Sequence, residues 1–409
     1  MVKKIAIITN GAFPVPAVKG GAMETLVEEI VQENERFQDA ELTVVSVADS
    51  DAEEASRQYH HSAFVFLKAS PFLTSLDYGI HYLAENVFHA KNHLAFKTTL
   101  QRCGYILSVG KHISKQNYDV LVFENQMAQL WSLKIDGNLH KYKGKYYFHL
   151  HNHPARYAHA ESMVRNCNSI ICVSEFIGRA FASHVGMNYG PEKFSVLKNA
   201  IDTDLFCPAH LNKTEIESLR NKYVKKNQEL ILFTGRMMPG KGVIELIRAF
   251  IRMKNQNAVL VVVGSFNFND HSANPFENQI KIEAAPARDR IVFTGYIDHQ
   301  QLPGYYAMAD FAVLPSTIEE AAGLTVIEAI SMHLPLITTT MGGIPEYADD
   351  SCALMINNDS QLIDHLAEAM DEMSQNDELR MRLKDGAVKK SGKWTLENYY
   401  NKFMKIIGE

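Results

Sequence analysis

Short, almost wholly apolar runs alternate with helical patterns along the chain. Such runs are typical of parallel strands that helices cover on both faces. The first half predicts strands at Lys4–Thr9, Leu42–Val47, Ala63–Leu67, Val120–Phe123, Tyr146–Leu150, Ser169–Val173 and Ser195–Leu197. The second half predicts strands at Leu230–Thr234, Ala258–Val263, Ile291–Phe293, Phe311–Leu314, Leu336–Thr339 and Ala353–Ile356.

Helical patterns lie between these strands, at Ala22–Glu35, Tyr82–Ser114, Glu175–Val185, Val243–Met253, Gln300–Ala307, Leu324–Met332 and Ser360–Ser374. Two blocks of alternating strands and helices predict an α/β protein with two Rossmann-like, doubly wound domains that face each other across a cleft. We place these domains at residues 1–200 and 201–390, because Pro208 and the polar residues near it interrupt the pattern. The helix Leu396–Ile407, within residues 391–409, has an apolar face that we expect to pack back on the N-terminal domain.

Composition narrows the class of protein. The chain has 409 residues, of which 46% are hydrophobic and 22% charged, with a net charge of -6 that gives no reason to expect nucleic acid as a partner. Its five cysteines are scattered without a Cys-x-x-Cys pair, which argues against a disulfide framework or a zinc site and suits the cytoplasm. The first apolar run is too short for a signal peptide, and no run approaches the ~20 apolar residues of a membrane span.

Candidate chemistry is densest around Glu320 and Glu328. Gly323 precedes a predicted helix start at Leu324, where free backbone N–H groups and the helix dipole favour an anion. Glu328 could accept hydrogen bonds from a ribose diol, and Glu320 could accept them from sugar hydroxyls. The alternative is that Glu320 starts the helix and that Glu328 is a solvated surface residue.

Two further loops follow predicted strands. Arg236 and Lys241 supply two cations that could neutralise a leaving diphosphate, although a plain connecting loop would look the same. The glycines Gly20 and Gly21 open a helix and permit close approach of a phosphate or sugar. The alternative for these glycines is a turn that requires positive φ.

Three histidines, His149, His151 and His153, end the strand Tyr146–Leu150. They could be metal ligands, but His149 and His151 share one strand face and no Asp, Glu or Cys lies near them in the sequence. We therefore expect no metal site, and we expect His151 to hydrogen-bond the reacting sugar.

Taken in order, these motifs resemble the retaining glycosyltransferase family 4 (group 1 glycosyltransferases), which has the GT-B architecture. The matching segments are Gly20-Gly21-x-x-Glu24, the strand end at His151, Val173-Ser174, Asn199-Ala200-Ile201-Asp202, Gly235-Arg236 with Lys241-Gly242, Glu320-x7-Glu328 and Gly342-Gly343-Ile344-Pro345-Glu346. Three positions depart from the family pattern: Ala322 stands where an aromatic residue is usual, and Ala200 and His333 stand where glycine is usual.

The resemblance implies metal-independent transfer of a sugar from a nucleotide diphosphate donor with retention of configuration and without a cofactor. Arg236 and Lys241 would hold the diphosphate, Glu328 the ribose and Glu320 the donor sugar. His151 would lie by the donor sugar, and Gly20 and Gly21 would close over the diphosphate. The residues expected to be catalytic are Arg236, Lys241, Glu320 and His151; those expected to bind the donor are Gly20, Gly21, Arg236, Lys241, Glu320, Gly323, Leu324, Thr325 and Glu328.

We expect the N-terminal domain to bind the acceptor and the C-terminal domain to bind the nucleotide-sugar. The expected function is hexosyl transfer from a UDP-sugar to a glycan or lipid-linked saccharide in bacterial surface polysaccharide or lipopolysaccharide synthesis. A nucleotide-sugar 2-epimerase and a non-catalytic nucleotide-sugar-binding subunit are the alternatives.

The basic residues of region 82–115 could hold the protein on the inner face of the cell membrane, or they could be the solvated edge of a packed helix pair. These residues are Lys91, Lys97, Arg102, Lys111 and Lys115.

Overall fold

The computed structural model describes residues 2–68, 70–86, 98–154, 156–265 and 275–408. The chain divides into two compact units. The first comprises residues Met1–Leu197 and Tyr399–Glu409, and the second comprises Lys198–Asn398. Each unit is built on its own parallel sheet. This confirms the prediction of two parallel α/β domains.

The described residues of the first unit form a seven-stranded parallel sheet in the order β3-β2-β1-β4-β5-β6-β7. Its strands are β1 (Lys3–Ile8), β2 (Ala40–Val47), β3 (Ser62–Leu67), β4 (Val120–Glu124), β5 (Tyr146–Leu150), β6 (Ile170–Cys172) and β7 (Phe194–Val196). Its helices are α1 (Ala22–Phe37), α2 (Ser50–Ala55), α3 (Pro71–Asn86), α4 (Thr99–Lys115), α5 (Asn138–Lys141), α6 (Glu161–Arg165) and α7 (Glu175–His184). The central strands β1, β4 and β5 bury mostly apolar side chains, as a sheet covered on both faces requires, with Glu124 and His149 the buried polar residues of β4 and β5.

The described residues of the second unit form a six-stranded parallel sheet in the order β10-β9-β8-β11-β12-β13. Its strands are β8 (Glu229–Thr234), β9 (Ala258–Val263), β10 (Ile291–Gly295), β11 (Phe311–Leu314), β12 (Leu336–Thr339) and β13 (Ala353–Ile356). Its helices are α8 (Lys213–Arg220), α9 (Val243–Arg252), α10 (Pro275–Ala284), α11 (Leu302–Met308), α12 (Leu324–Ser331), α13 (Leu362–Gln375) and α14 (Asp377–Ser391). Short 3-10 helices in the two units lie at Ser56–Gln58, Met127–Lys134, Pro208–His210, Ala285–Ala287, His299–Gln301 and Ile344–Glu346.

Both sheets follow the strand order of Rossmann-like folds, in which the chain returns to the middle of the sheet and continues in the opposite direction. This reversal lies between β1 and β4 in the first unit and between β8 and β11 in the second. Ligands in such folds bind beyond the carboxyl ends of the strands at this point. A ligand site is therefore expected at the loops that follow β1, β4, β8 and β11.

The predicted helix Tyr82–Ser114 is wrong as a single element. The helix α3 ends at Asn86, and α4 begins at Thr99, with residues 87–97, which include Lys91 and Lys97, outside the described part of the chain. The buried carboxylate of Asp77 in α3 accepts hydrogen bonds from the backbone N–H groups of Leu100 and Gln101, each at 2.9 Å. A carboxylate that caps the first turn of α4 fixes a helix start there, which periodicity alone did not reveal.

The last helix, α15 (Leu396–Gly408), begins in the second unit, and its residues from Tyr399 onward belong to the first. Tyr399, Tyr400, Phe403 and Ile407 are buried. The Tyr400 hydroxyl donates to Oδ1 of Asn34 at 2.9 Å, and its ring stacks on Phe37 with the centroids 5.6 Å apart. These contacts hold α15 against α1.

Among the described residues, the helices are too short or too polar for any of them to cross a membrane.

Candidate functional site

In the second unit, Lys241 and Glu320 lie side by side where β8 and β11 end. The Lys241 ammonium forms an ion pair with Oε1 of Glu320, and the same oxygen accepts a hydrogen bond from the Ser316 hydroxyl at 2.8 Å. Both charged side chains are largely shielded, with 22% and 15% exposed. The sequence prediction gave these two residues separate tasks, whereas the structure places their charges in contact.

The backbone around Gly240 and Gly242 brings Lys241 to this position. The carbonyl of Gly240 accepts hydrogen bonds from the Thr317 N–H at 2.8 Å and the Ser316 hydroxyl at 3.1 Å, which joins the loop after β8 to the loop after β11. Gly242 adopts φ +75°, and a Cβ there would lie 1.8 Å from the Pro315 carbonyl oxygen. Only glycine allows the two loops to approach so closely.

A second glycine pair, Gly342 and Gly343, contacts the backbone of Glu320. The Gly343 N–H donates to the Glu320 carbonyl at 2.7 Å. At Gly342, where φ is +62°, a Cβ would lie 2.3 Å from the same oxygen. The Gly-Gly motif of the sequence therefore determines where the Glu320 backbone lies.

The helix α12 starts three residues after Glu320. Gly323 is the N-cap residue and has φ +74°. Because glycine has no side chain, it cannot accept a hydrogen bond from the N–H groups of the first turn, which begins with Leu324 and Thr325. The uncapped N-terminus of a helix favours an anion. Because α12 begins at Leu324, the alternative in which Glu320 starts the helix is wrong.

Glu328 is buried, with only 7% of the residue exposed, so the alternative of a solvated surface residue is also wrong. Its Oε2 accepts a hydrogen bond from the Tyr306 hydroxyl at 2.7 Å, and that hydroxyl accepts from Thr234 at 2.5 Å. Burial raises the pKa of the Glu328 carboxyl, and the hydrogen bond from Tyr306 opposes this effect. Burial, followed by the Glu328 charge, also raises the pKa of Tyr306, so the phenol keeps the proton that it donates.

Arg236 is exposed in the loop that leaves β8. This loop turns at Gly235, where φ is +150°, and the neighbouring Gly264 approaches so closely that a Cβ on it would lie 1.9 Å from the Gly235 carbonyl oxygen. The Met237 N–H donates to the Ser265 carbonyl at 3.0 Å. These contacts hold the backbone on both sides of Arg236, which is itself exposed.

In the first unit, the structure brings an acid to the histidines, although none lies near them in the sequence. Glu124, which ends β4, is paired in register with His149 of β5, and its carboxylate contacts both His149 and His151, whose ring centroids are 4.1 Å apart. Its Oε2 is 2.6 Å from Nε2 of His151 and 3.1 Å from Nδ1 of His149. Neighbouring parallel strands end at the same sheet edge, which brings together residues that are 25 to 27 positions apart.

Of the three side chains in this cluster, Glu124 is the anion, and His149 and His151 are hydrogen-bond donors. Burial opposes ionisation of Glu124, but the charges and hydrogen bonds of His149 and His151 outweigh it and lower its pKa to about 2. Burial, followed by the charge of His149, lowers the pKa of His151, and Glu124 opposes that effect. We conclude that an ionised carboxylate accepts N–H bonds from imidazoles, of which His151 is neutral at pH 7.

Gly20 and Gly21 lead into α1 with φ of +73° and +112°, so the positive φ that the sequence allowed as an alternative is present. Beneath them lies Glu24, of which 3% is exposed. A Cβ on Gly21 would lie 2.2 Å from Oε2 of Glu24. Burial, and then the negative charge of Glu124, raises the pKa of the Glu24 carboxyl to about 7, against the opposing hydrogen bonds of its own N–H and Asn10.

The structure therefore brings together Lys241, Glu320 and the start of α12 in the second unit. Sequence reasoning missed two contributors, Glu124 and Tyr306. Glu124 could have been found, because it directly follows the predicted strand Val120–Phe123 and had to lie at the same sheet edge as His151. Tyr306 gave no such signal, since nothing in the α11 pattern indicates that its hydroxyl points to Glu328.

Two family models match the chain. Residues 20–205 match the model "Glycosyltransferase Family 4", and residues 215–390 match "Glycosyl transferases group 1". Residues 206–214 separate the two matches, which contain all the candidate residues described above.

Individual proteins are similar over the whole chain or a large part of it. YtcC of Bacillus subtilis, whose name assigns it provisionally as a glycosyltransferase, is 26% identical over 400 residues, which is 94% of this chain and 87% of the relative. A lipopolysaccharide 1,2-N-acetylglucosaminetransferase of Salmonella typhimurium is 25% identical over 250 residues, or 60% of this chain and 61% of that protein. Among solved structures, Anabaena HepE in complex with UDP and glucose has a TM-score of 0.72 at 17% identity, covering 100% of both chains. That last likeness shows the fold, which is the GT-B fold.

Proposed function

Because this chain belongs to the group 1 glycosyltransferases of glycosyltransferase family 4, we propose that it moves a hexosyl group from a nucleotide diphosphate sugar to a saccharide acceptor with retention of configuration. The observation that carries the proposal is the Lys241–Glu320 ion pair next to the uncapped start of α12. A shielded cation, a carboxylate and free backbone N–H groups together suit a ligand that carries phosphate beside hydroxyls.

We assign the groups of the donor as follows. Arg236 and Lys241 bind the diphosphate with the backbone of Gly323, Leu324 and Thr325, and Glu320 accepts from the sugar hydroxyls. In the protein without donor, Lys241 and Glu320 neutralise each other. Donor binding replaces that ion pair with two matched contacts, cation to phosphate and carboxylate to hydroxyl, so neither of these shielded charges is left unpaired.

Glu328 takes the ribose. Its Oε2 is held by Tyr306, which fixes the direction of the carboxylate and leaves Oε1 for a ribose hydroxyl. The base is proposed to be uracil, in keeping with the UDP held by the structurally similar HepE. In the first unit, His151 is proposed to contact the donor sugar, and the backbone of Gly20 and Gly21 to contact the diphosphate.

Catalysis follows from stabilising the leaving group. As the bond from the sugar to phosphate lengthens, negative charge grows on the diphosphate and the sugar becomes oxocarbenium-like. Arg236, Lys241 and the N-terminus of α12 are proposed to stabilise that charge without reorganising. The acceptor oxygen bonds to the anomeric carbon on the face from which the diphosphate leaves, and the departing phosphate oxygen takes the proton of that acceptor hydroxyl. Attack on this face retains the configuration. These side chains supply the charge without a metal ion or a cofactor.

The acceptor is proposed to be a glycan or lipid-linked saccharide in the synthesis of bacterial surface polysaccharide or lipopolysaccharide. The support is the similarity to the Salmonella lipopolysaccharide N-acetylglucosaminetransferase. We propose that the first unit binds this acceptor.

A peripheral position on the inner face of the cell membrane is part of the proposal. The helix α3 exposes Phe72, Tyr78, Tyr82 and Leu83, and α4 exposes Arg102, Lys111 and Lys115. Aromatic side chains with nearby cations suit the headgroup region of an anionic bilayer. Co-sedimentation with anionic and neutral vesicles tests this, and equal recovery in both pellets at moderate salt would refute it.

A donor screen tests the function. Purified protein is incubated with UDP-, GDP- and ADP-sugars, with soluble and lipid-linked saccharide acceptors, and release of free nucleotide diphosphate is followed. We expect release from a UDP-sugar that requires an acceptor and persists in EDTA. Strict dependence on Mn²⁺ would overturn the metal-free mechanism, and conversion of the donor to an epimer without acceptor would favour an epimerase.

A further inference from the structure

The carboxylate of Glu124 is fully buried, with 0% of the residue exposed, yet its ionisation is retained. A buried charge is costly unless hydrogen bonds satisfy it. Two imidazole N–H groups satisfy this one at different oxygens: Nε2 of His151 lies 2.6 Å from Oε2, and Nδ1 of His149 hydrogen-bonds Oε1 at 3.4 Å. The hydrogen bond to His151 is the shorter of the two.

This arrangement has a consequence for which nitrogen of His151 carries its proton. A neutral imidazole has one N–H donor and one lone pair. Since Nε2 of His151 faces a carboxylate, the proton lies on Nε2, and Nδ1 keeps the lone pair. Nδ1 of His151 is buried and has no hydrogen-bond partner among the described residues.

We propose that Glu124 is a positioning residue of the transfer reaction, which holds His151 in the Nε2–H tautomer so that its Nδ1 lone pair accepts a hydrogen bond from a sugar hydroxyl. This inference rests on the proposed function, because it takes His151 to lie at the donor sugar. An acceptor lone pair suits a sugar that gains positive charge in the transition state, whereas an N–H donor would oppose that charge.

The backbone around His151 is fixed by the residue that follows Glu124. Oδ1 of Asn125 accepts hydrogen bonds from the N–H groups of His151 and Asn152, at 3.0 and 3.2 Å. Asn125 itself adopts φ +51°, a left-handed conformation that asparagine tolerates better than most residues. The dipeptide Glu124-Asn125 thus holds both the ring and the main chain of His151.

A metal ion is the competing explanation, since the ligand atoms of Glu124, His149 and His151 lie within 4.8 Å of one another. Ligands bound to a tetrahedral zinc at ~2.0–2.1 Å stand about 3.3 Å apart. The contact of 2.6 Å between Glu124 and His151 is too short for that geometry and matches a hydrogen bond. Metal-bound histidines also donate their second N–H to a partner, and the second nitrogens of both rings have none in the described part of the chain.

The titratable groups around Glu124 are His149 and His151, which contact its carboxylate, and Glu24 of α1, whose pKa the charge of Glu124 helps to raise. In Glu124→Gln, the side-chain oxygen can accept from one ring, but the amide N–H must donate to the other. One imidazole must then present a lone pair, so the variant forces the proton of one ring to move. The size of the side chain stays the same.

The experiment measures both the tautomer and the rate. In full-length protein labelled with ¹⁵N-histidine, long-range ¹H–¹⁵N spectra are expected to show neutral His151 with the proton on Nε2, and a mixed or reversed tautomer in Glu124→Gln. With the best donor, Glu124→Gln is expected to lower kcat about tenfold to hundredfold with little change in KM. His151→Ala and the double variant should be equally slow, because Glu124 acts through His151.

Three results would overturn the proposal: a proton on Nδ1 of His151 in the unmodified protein, losses in the two single variants that multiply in the double variant, or one equivalent of metal bound at the cluster. Glu35→Gln is the matched control, because Glu35 also anchors the first unit, accepting from the N–H groups of His60, His61 and Ser62. Its kcat is expected to stay unchanged. If the protein uses no donor at all, the proposed function fails, and the tautomer alone then decides whether Glu124 holds His151.

Discussion

Replacing Glu24 by glutamine should make the first unit more stable at alkaline pH. The Glu24 carboxyl is buried under Gly21 and near Glu124, and its Oε1 has no hydrogen-bond partner among the described residues. Burial, followed by the charge of Glu124, raises its pKa from 4.5 to about 7. The folded unit therefore prefers the protonated carboxyl, and glutamine is a neutral group of the same shape.

The magnitude follows from linkage between protonation and folding. A shift from 4.5 to about 7 corresponds to about 3 kcal/mol of free energy of unfolding, at ~1.4 kcal/mol for each pH unit. For a carboxyl with a raised pKa, this stability is fully present below pH ~4.5 and is lost as the pH rises through about 7. Glu24→Gln should match the unmodified protein near pH 4.5 and exceed it by up to about 3 kcal/mol at pH 8.

Urea unfolding can follow the first unit by itself. The chain has two tryptophans, of which Trp131 lies in the first unit and Trp394 in the second. In a Trp394→Phe background, Trp131 fluorescence reports the first unit, and unfolding is compared with and without Glu24→Gln between pH 5 and 8. A stability difference that stays constant over this range would refute the argument. Glu54→Gln is the control, since Glu54 is exposed on α2 and its replacement should change little at any pH.

Three further outcomes are expected. Lys241→Ala should lower kcat by roughly 10²–10³ through loss of one transition-state charge contact, and a near-normal kcat in steady-state assays would remove that role. Tyr306→Phe should raise the KM for the donor and lower the free energy of unfolding by about 1–3 kcal/mol, because the buried Glu328 loses its donor; unchanged values for both would contradict this. Gly342→Ala should lower kcat by displacing the Glu320 backbone, since the new Cβ would lie 2.3 Å from the Glu320 carbonyl oxygen, and a crystal structure with an unmoved loop would speak against it.

The strands could be predicted from the sequence because most of them are short, largely apolar runs. Runs such as Ala258–Val263 have one interpretation in an α/β chain, and the structure gives that strand the same bounds. The helix α12 was equally clear, because Gly323 marks its start and its apolar residues follow at once.

Other helices left a weaker signal. The buried positions of α14 are Leu379, Leu383, Gly386 and Ala387, and half of these are too small to register as an apolar stripe. Gly386 is there because the Ser351 backbone passes close to it: a Cβ would lie 1.8 Å from that carbonyl oxygen. The position of such a helix depends on close contact between its small residues and a neighbouring backbone segment, and a single sequence does not reveal that contact.

Some features of the candidate site could also be predicted from the sequence, and others could not. The Lys241 loop and the Glu320 loop could each be chosen from local chemistry, since charged residues and glycines follow apolar strands. Their ion pair depends on β8 and β11 being neighbours, and the Glu124 contact on the register of β4 with β5. Register and strand order come from tertiary packing, so these pairings required the structure.

The position of α15 has a consequence for the order in which the protein can be completed. The contact between Tyr400 and Asn34 joins residues 366 positions apart, and the whole second unit lies between them in the chain. At ~5–20 residues per second, a ribosome needs about 10–40 s to add those intervening 200 or so residues. During that interval the first sheet has emerged, while the surface around Phe37 and Asn34 still lacks its covering helix. The first unit is thus the first to begin folding and the last to be finished, and a chain released early would carry an exposed apolar face that chaperones recognise.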